Sequence, residues 1–194
     1  SGIVKSISSG MEGFVNAYKN LNPDLVLVLG DRHEIFSAVI AAYFSRIPVA
    51  HLHGGEVTEG STDEAIRHSI TKMSHFHFVA AKEYKKRVVQ LGENPRQVFN
   101  VGGLGVDNMR HTNLLSKREL ESDLGLKFEK KNLLINFHPE TLNKSSTKKI
   151  FNEILLALGK EVDHTCLIFT MPNADLESGI VFKMIKKFVK KNKN

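Results

Sequence analysis

Acid and base stand side by side at Asp31-Arg32, directly after the apolar run Leu25-Val26-Leu27-Val28-Leu29 and one glycine. The next apolar run ends in His51-Leu52-His53-Gly54-Gly55-Glu56, which sets histidines, a glycine pair and a carboxylate within a few residues. Histidine near a carboxylate suits proton transfer near neutral pH, and glycine lets a backbone turn or a ligand approach closely. A third group, Asp63-Glu64-Ala65-Ile66-Arg67-His68, opens a helical segment. Asp63, Arg67 and His68 can line one pocket there, because residues four apart share a helix face. A fourth candidate is His138, held extended by Pro139 at the exit of the run 133–137, a suitable place for a general acid or base. Met171-Pro172-Asn173-Ala174-Asp175 repeats that arrangement, and Asn173 suits a ligand-lining loop and a plain turn equally.

Each motif has a structural alternative. Asp31 is a favoured residue type for capping the helix that follows it. Acids at 63 and 64 suit the positive end of a helix without any function. A buried, satisfied histidine would account for the 51–56 loop, although polar clusters on two consecutive strand ends weigh toward a site. His75 and His77 flank Phe76 inside an apolar run and read as structural. The spacing of His51, His53 and Glu56 is unspecific for a metal, and no cysteine cluster supports zinc. Neither a phosphate-loop motif nor G-x-G-x-x-G is present. No metal or cofactor is expected.

These residues must be positioned by alternating strands and helices. Apolar spacing predicts helices over 3–19, 34–45, 63–73, 82–91, 147–158 and 178–191, with strands over 24–29, 48–52, 75–80, 98–101, 133–137 and 165–171. At the end of the strand over 48–52, strand alternation places His51 and His53 on the same side. Ser116 with Glu119 three residues later, and Gly125 beyond Leu124, predict a capped helix over 116–124. Near-continuous apolar strands alternating with helices predict an α/β fold with a parallel sheet covered on both faces, and ligands beyond the carboxyl ends of its strands. The polar stretch 106–130 reads as the passage between a first domain, 1–105, and a second, 131–194.

The net charge of +6 in 194 residues invites a nucleic-acid reading, but residues 181–194 hold six lysines and no acid. The remainder is therefore near neutral. Apolar residues at Ile180, Met184, Ile185, Phe188 and Val189 mark an amphipathic helix with a solvated lysine face. The single cysteine, Cys166, lies in an apolar run and excludes an internal disulfide framework; it reads as a buried thiol of a reducing compartment. No run of about 18 apolar residues spans a membrane, and no leader pattern opens the chain. A cytoplasmic protein without nucleic-acid or membrane partners is expected.

Together the motifs Leu29-Gly30-Asp31-Arg32, His51-Leu52-His53-Gly54-Gly55-Glu56-Val57-Thr58 and Asp63-Glu64-Ala65-Ile66-Arg67-His68-Ser69-Ile70-Thr71-Lys72 resemble the hydrolysing UDP-N-acetylglucosamine 2-epimerases of sialic-acid-type biosynthesis. Leu91-Gly92-Glu93, Val101-Gly102-Gly103 and Phe137-His138-Pro139-Glu140-Thr141 continue the likeness in order, over essentially the whole chain. The resemblance implies a glycosyltransferase-B-like fold of two Rossmann-like parallel-sheet domains with the active site between them. It implies conversion of UDP-N-acetylglucosamine and water to N-acetylmannosamine and UDP, in the service of capsule or surface polysaccharide. Loss of the C2 proton, elimination of UDP and hydration of the resulting glucal with inversion at C2 are the steps it implies. By position Asp31, Asp63 and His138 match catalytic groups of the family, and Arg32, Arg67 and His68 match substrate contacts. His53 stands where many members read the first Glu of His-x-Glu-Gly-Gly-Glu, so His53 or Glu56 takes that role, or the substrate is a 2,4-diacetamido-trideoxy sugar of the legionaminic acid route. The resemblance further implies a homo-oligomer, dimer or tetramer, at full length. Members are roughly twice as long, so the chain is expected to be a central fragment, without the first strand of its first domain and truncated in its second. On its own it is expected to be inactive or nearly so. A non-catalytic nucleotide-sugar binding module and a non-hydrolysing epimerase are the competing readings.

Overall fold

Pro23 ends the first helix, and the apolar residues after it extend into a strand. The first unit runs α1 (Gly2–Leu21), β1 (Val26–Leu29), α2 (His33–Phe44), β2 (Val49–Leu52), α3 (Asp63–Lys72), β3 (Phe76–Val79), α4 (Lys82–Gln90), a single 3-10 turn (Pro95–Gln97), β4 (Val98–Asn100) and α5 (Leu104–His111). The structure, a computed structural model, describes residues 2–139, 147–173 and 177–192. It divides into two units, Ser1–Thr112 and Asn113–Asn194. The division falls inside the polar stretch 106–130, with α5 on the first side of it. That helix escapes the sequence pattern because it is eight residues long and carries Gly105 in its first turn.

The four strands of the first unit are parallel in the order β1-β2-β3-β4. Their register places Val28, His51, His77 and Val98 side by side on one face. That face is the core. Val28 and Val49 pack with Val39 and Ala42 of α2 and Ile70 of α3, and Val79 and Val98 pack with Val88 of α4. Within this chain the helices cover one face: Leu27 and Leu29 are 64% and 51% exposed, and Phe76 and Phe99 lie on the same opposite face, also exposed. The cause is topological. Strands added in one direction through right-handed crossovers place every connecting helix on one side.

The second unit runs α6 (Lys117–Leu124), β5 (Lys131–Ile135), α7 (Thr147–Leu158), β6 (Thr165–Phe169) and α8 (Ser178–Lys191), with β5 and β6 parallel. The cap of α6 is as its residues require. The Ser116 hydroxyl accepts from the Glu119 N–H, the Glu119 carboxylate accepts from the Ser116 N–H, and Gly125 closes the helix in the left-handed conformation. Phe151 and Leu155 of α7 pack with Val181 and Ile185 of α8. The α8 lysines from Lys183 to Lys191 face solvent, and the Cys166 thiol is buried in β6. Among the described residues no helix is long and apolar enough to cross a membrane.

Candidate active site

Gly30 leaves β1 with φ 87°, its N–H still bonded to the Leu52 carbonyl at 3.2 Å. The next residue, Asp31, does not cap α2. Arg32 takes the N-cap position without a side-chain cap bond, and its guanidinium lies 3.4 Å from Glu34. The Asp31 carboxylate turns instead to Arg67 of α3. Arg67 Nε donates to Asp31 Oδ2 at 2.7 Å, and Nη2 donates to the same oxygen. Arg67 is 4% exposed, so an ionic guanidinium sits in the interior and each of its donors needs a partner. Nη1 donates to the Glu56 carbonyl (2.8 Å) and to Glu64 Oε2 (2.9 Å), and Nη2 also reaches the Thr58 hydroxyl (2.8 Å). Arg67, expected as a substrate contact, is thus bound to protein groups that join the end of β1, the loop after β2 and the first turn of α3.

Glu64 is a member that the sequence reading passed over as a helix-dipole acid. Its Oε2 also accepts the Thr58 N–H at 2.6 Å, and its Oε1 lies 3.1 Å from His68 Nε2. Burial pushes this carboxyl up, but the Thr58 N–H, His68 and Arg67 together hold it below the usual carboxylate range. The spacing Glu64, Arg67, His68 carried that signal, three and four residues apart on one helix face. Asp63 lies half-buried at the start of α3, its N–H bonded to the Ser61 hydroxyl at 3.1 Å. Nδ1 of His68 is buried and makes no hydrogen bond.

His51 and His53 part company, which corrects the expectation of a shared side. β2 ends at Leu52, and His53 turns out of the strand with φ 64°. His51 is fully buried. Its Nε2 lies 2.9 Å from the Gly30 carbonyl and its Nδ1 3.3 Å from the Thr71 hydroxyl. Because the carbonyl only accepts, Nε2 carries the proton. Burial drives the His51 pKa down to about 4; the Gly30 carbonyl and Asp31 oppose this, and His77 and Arg67 reinforce it. His53 remains partly exposed and lies 2.8 Å through Nδ1 from Glu56 Oε1. Gly55 between them is required: its φ is 78°, and a Cβ there would overlap the Tyr84 carbonyl. Arg87 of α4 donates to the Gly55 carbonyl from the other side. On β3, His77 is buried beside Glu93, which also binds Lys72 at 2.5 Å.

His138 belongs to the second unit, three residues beyond β5 and exposed, with Phe137 before it stacked on Phe151 at 4.8 Å between ring centres. Asn173, four residues beyond β6, is also exposed. Glu140-Thr141 and Ala174-Asp175 lie outside the described residues. The structure therefore gathers Asp31, His53, Glu56, Asp63, Arg67 and His68 of the first unit at the carboxyl ends of β1 and β2 and the start of α3, and places His138 and Asn173 after strands of the second. Among the described residues no group of three His, Cys, Asp or Glu side chains is set to hold a metal ion.

Polar groups converging beyond the carboxyl ends of neighbouring parallel strands are the layout of a ligand-binding α/β domain. A family model described as UDP-N-acetylglucosamine 2-epimerase matches residues 1–193, and the chain belongs to that family. It is 41% identical over 190 residues to the GDP/UDP-N,N'-diacetylbacillosamine 2-epimerase (hydrolyzing) of Campylobacter jejuni subsp. jejuni serotype O:2, covering 98% of this chain and 49% of the relative. It is 44% identical over 191 residues to polysialic acid biosynthesis protein P7 of Escherichia coli, again covering 98% and 49%. The crystal structure of UDP-GlcNAc 2-epimerase from Neisseria meningitidis bound to UDP-GlcNAc matches with a TM-score of 0.77 at 20% identity, over 99% of this chain and 53% of that one. The fold class is α/β and glycosyltransferase-B-like, with parallel sheets in both units. The chain spans about half the length of the curated relatives it matches.

Proposed function

We propose that this chain carries acid/base machinery of a hydrolysing 2-epimerase acting on UDP-N-acetylglucosamine, releasing UDP and N-acetylmannosamine. The observation that supports it is the cluster Asp31–Arg67–Glu64 with His53 and Glu56 at the ends of two adjacent strands, in a chain of this family. Elimination across C1 and C2 followed by hydration needs several proton donors and acceptors around one sugar ring, and these side chains supply them. Asp31, Asp63 and the second unit's His138 take acid/base roles. Arg32, His68 and Asn173 take substrate contacts, and Arg67 holds Asp31 and the 54–58 loop in place. The reading carries with it a cytoplasmic homo-oligomer serving surface polysaccharide synthesis.

A second substrate is favoured by two observations: the Campylobacter relative is named for UDP-N,N'-diacetylbacillosamine, and His53 occupies the position at which the Glu pattern is broken. A UDP-2,4-diacetamido-trideoxy sugar would then be hydrolysed and epimerised by the same steps. The test is NMR analysis of products from the full gene product that carries this chain, offered both UDP-sugars separately. Release of UDP with a C2-inverted sugar from one of them supports the reading and names the substrate. Consumption of neither, or release of an epimer still linked to UDP, refutes it.

A further inference from the structure

His53 and Glu56 stand as a preformed pair, with Nδ1 2.8 Å from Oε1 and side chains 27% and 32% exposed. An ionised carboxylate only accepts hydrogen bonds, so this contact requires the proton on Nδ1. A neutral His53 then keeps its free lone pair on Nε2. The loop is held in an unfavourable conformation to achieve this. His53 has φ 64°, uncommon for a residue other than glycine, and such outliers persist only where the surroundings over-determine them, as at functional sites. Here the surroundings are explicit. The His53 N–H is fixed to the Phe78 carbonyl of β3 at 2.9 Å, Arg67 of α3 binds the Glu56 carbonyl at 2.8 Å, and Arg87 of α4 binds the Gly55 carbonyl. Three elements therefore pin three of the four residues from His53 to Glu56. By contrast His51, two residues away, lies in the core with both ring nitrogens facing protein groups.

We infer that His53 Nε2 is the proton-accepting atom of this site and that Glu56 is a positioning residue acting through it. The inference rests on the hydrolysing 2-epimerase reading. The C2 proton moves to Nε2, the C2–H electron pair becomes the C1=C2 double bond, and the C1–O pair leaves with UDP. The imidazolium so formed lies against the Glu56 carboxylate, which stabilises its charge, and it gives its proton to water before the next turnover. This assigns different work to two residues that the sequence leaves interchangeable: chemistry to His53, tautomer and charge to Glu56.

The first test needs no substrate. Nitrogen-15 spectra of histidine-labelled 194-residue protein above pH 7 report which ring nitrogen of His53 carries the proton, with His53→Gln giving the assignment. Free imidazole side chains favour Nε2–H, so an Nδ1–H form at His53 is diagnostic. Glu56→Gln, whose amide oxygen still accepts, retains it; Glu56→Ala reverts to Nε2–H. An Nε2–H form in the unaltered protein overturns the inference. The second test uses turnover by the full gene product. His53→Ala lowers kcat by about 10²- to 10⁴-fold. Glu56→Gln lowers kcat by about tenfold or more with KM within about twofold, and His53→Ala/Glu56→Gln is no slower than His53→Ala, because a residue acting only through another contributes nothing once that other is gone. Losses that multiply would make Glu56 an independent acid or base and overturn the inference. If the unaltered enzyme consumes neither UDP-sugar, the epimerase reading fails, while the tautomer spectra still decide the pair.

Discussion

His51 makes the first unit sensitive to mild acid, and the effect can be sized. The side chain is fully buried on the core face of β2 and its pKa is depressed from 6.5 to about 4, chiefly by burial. Its Nε2–H lies on the Gly30 carbonyl and its Nδ1 faces the Thr71 hydroxyl, with no carboxylate among the described residues bonded to either nitrogen to favour a charged ring. A depressed pKa means that the unfolded chain binds a proton, between about pH 6.5 and pH 4, that the folded chain refuses. The associated stability is complete above pH 6.5 and is lost as pH falls toward 4. At about 1.4 kcal/mol per pH unit, the full loss is about 3 kcal/mol, and about 2 kcal/mol of it falls between pH 7.5 and pH 5. Urea unfolding of the protein and of His51→Gln at both pH values isolates this part, because Gln keeps a donor for Gly30 and does not titrate. Buried His77, also depressed by burial although Glu93 opposes it, acts in the same direction in both proteins and cancels in the difference. The unaltered protein should lose about 2 kcal/mol more than His51→Gln. Equal losses would show that His51 is not held neutral in the folded state, and the buried tautomer assignment would fall with it.

Other consequences are read from single positions. Gly55→Ala must strain a φ of 78° and meet the Tyr84 carbonyl, so it should destabilise the first unit by about 2 kcal/mol or more in urea unfolding. Ser116→Ala removes one half of the α6 capping box and should cost about 1 kcal/mol, read in the same way from the second unit. In the full gene product Asp31→Asn and His138→Ala should each lower turnover of the UDP-sugar by about 10²-fold or more, measured as UDP release; near-unaltered rates in both would remove them from the site.

Local chemistry was legible where one segment decides its own structure. The ranges of α7 and α8 and the box around Ser116 follow from apolar spacing and capping residues within one element. The place of the candidate residues in the fold was legible for the same reason: glycines and polar residues follow apolar strands. What the polar residues do was not, because their partners lie far apart in the chain. Asp31 reads equally as cap or site until Arg67, 36 residues later, is seen to take its carboxylate. Alternation carried His53 onto the side of His51 because nothing in Leu52-His53-Gly54 announces a left-handed histidine. That the helices of this chain lie on one face of the first sheet follows from strand order, which apolar runs do not encode.

Arg67 shows why stability and function must be separated at this site. A buried guanidinium bound to Asp31 and Glu64 is a poor source of stability, since desolvation offsets most of the attraction, yet removing one partner alone strands the others. Arg67→Met should therefore cost about 3–5 kcal/mol in urea unfolding, with Asp31 and Glu64 left facing an apolar side chain. Neutralising those partners as well, in Arg67→Met/Asp31→Asn/Glu64→Gln, should recover most of that loss. It should not recover what the network does. The Thr58 N–H, now bonded to Glu64, should exchange with solvent faster in both variants, and the full gene product should lose turnover in both. If exchange at Thr58 slowed again as the triple variant regained stability, Arg67 would be a structural cross-link only. If it regained stability while exchange at Thr58 stayed fast, the buried charges are held there to keep the 54–58 loop in one arrangement.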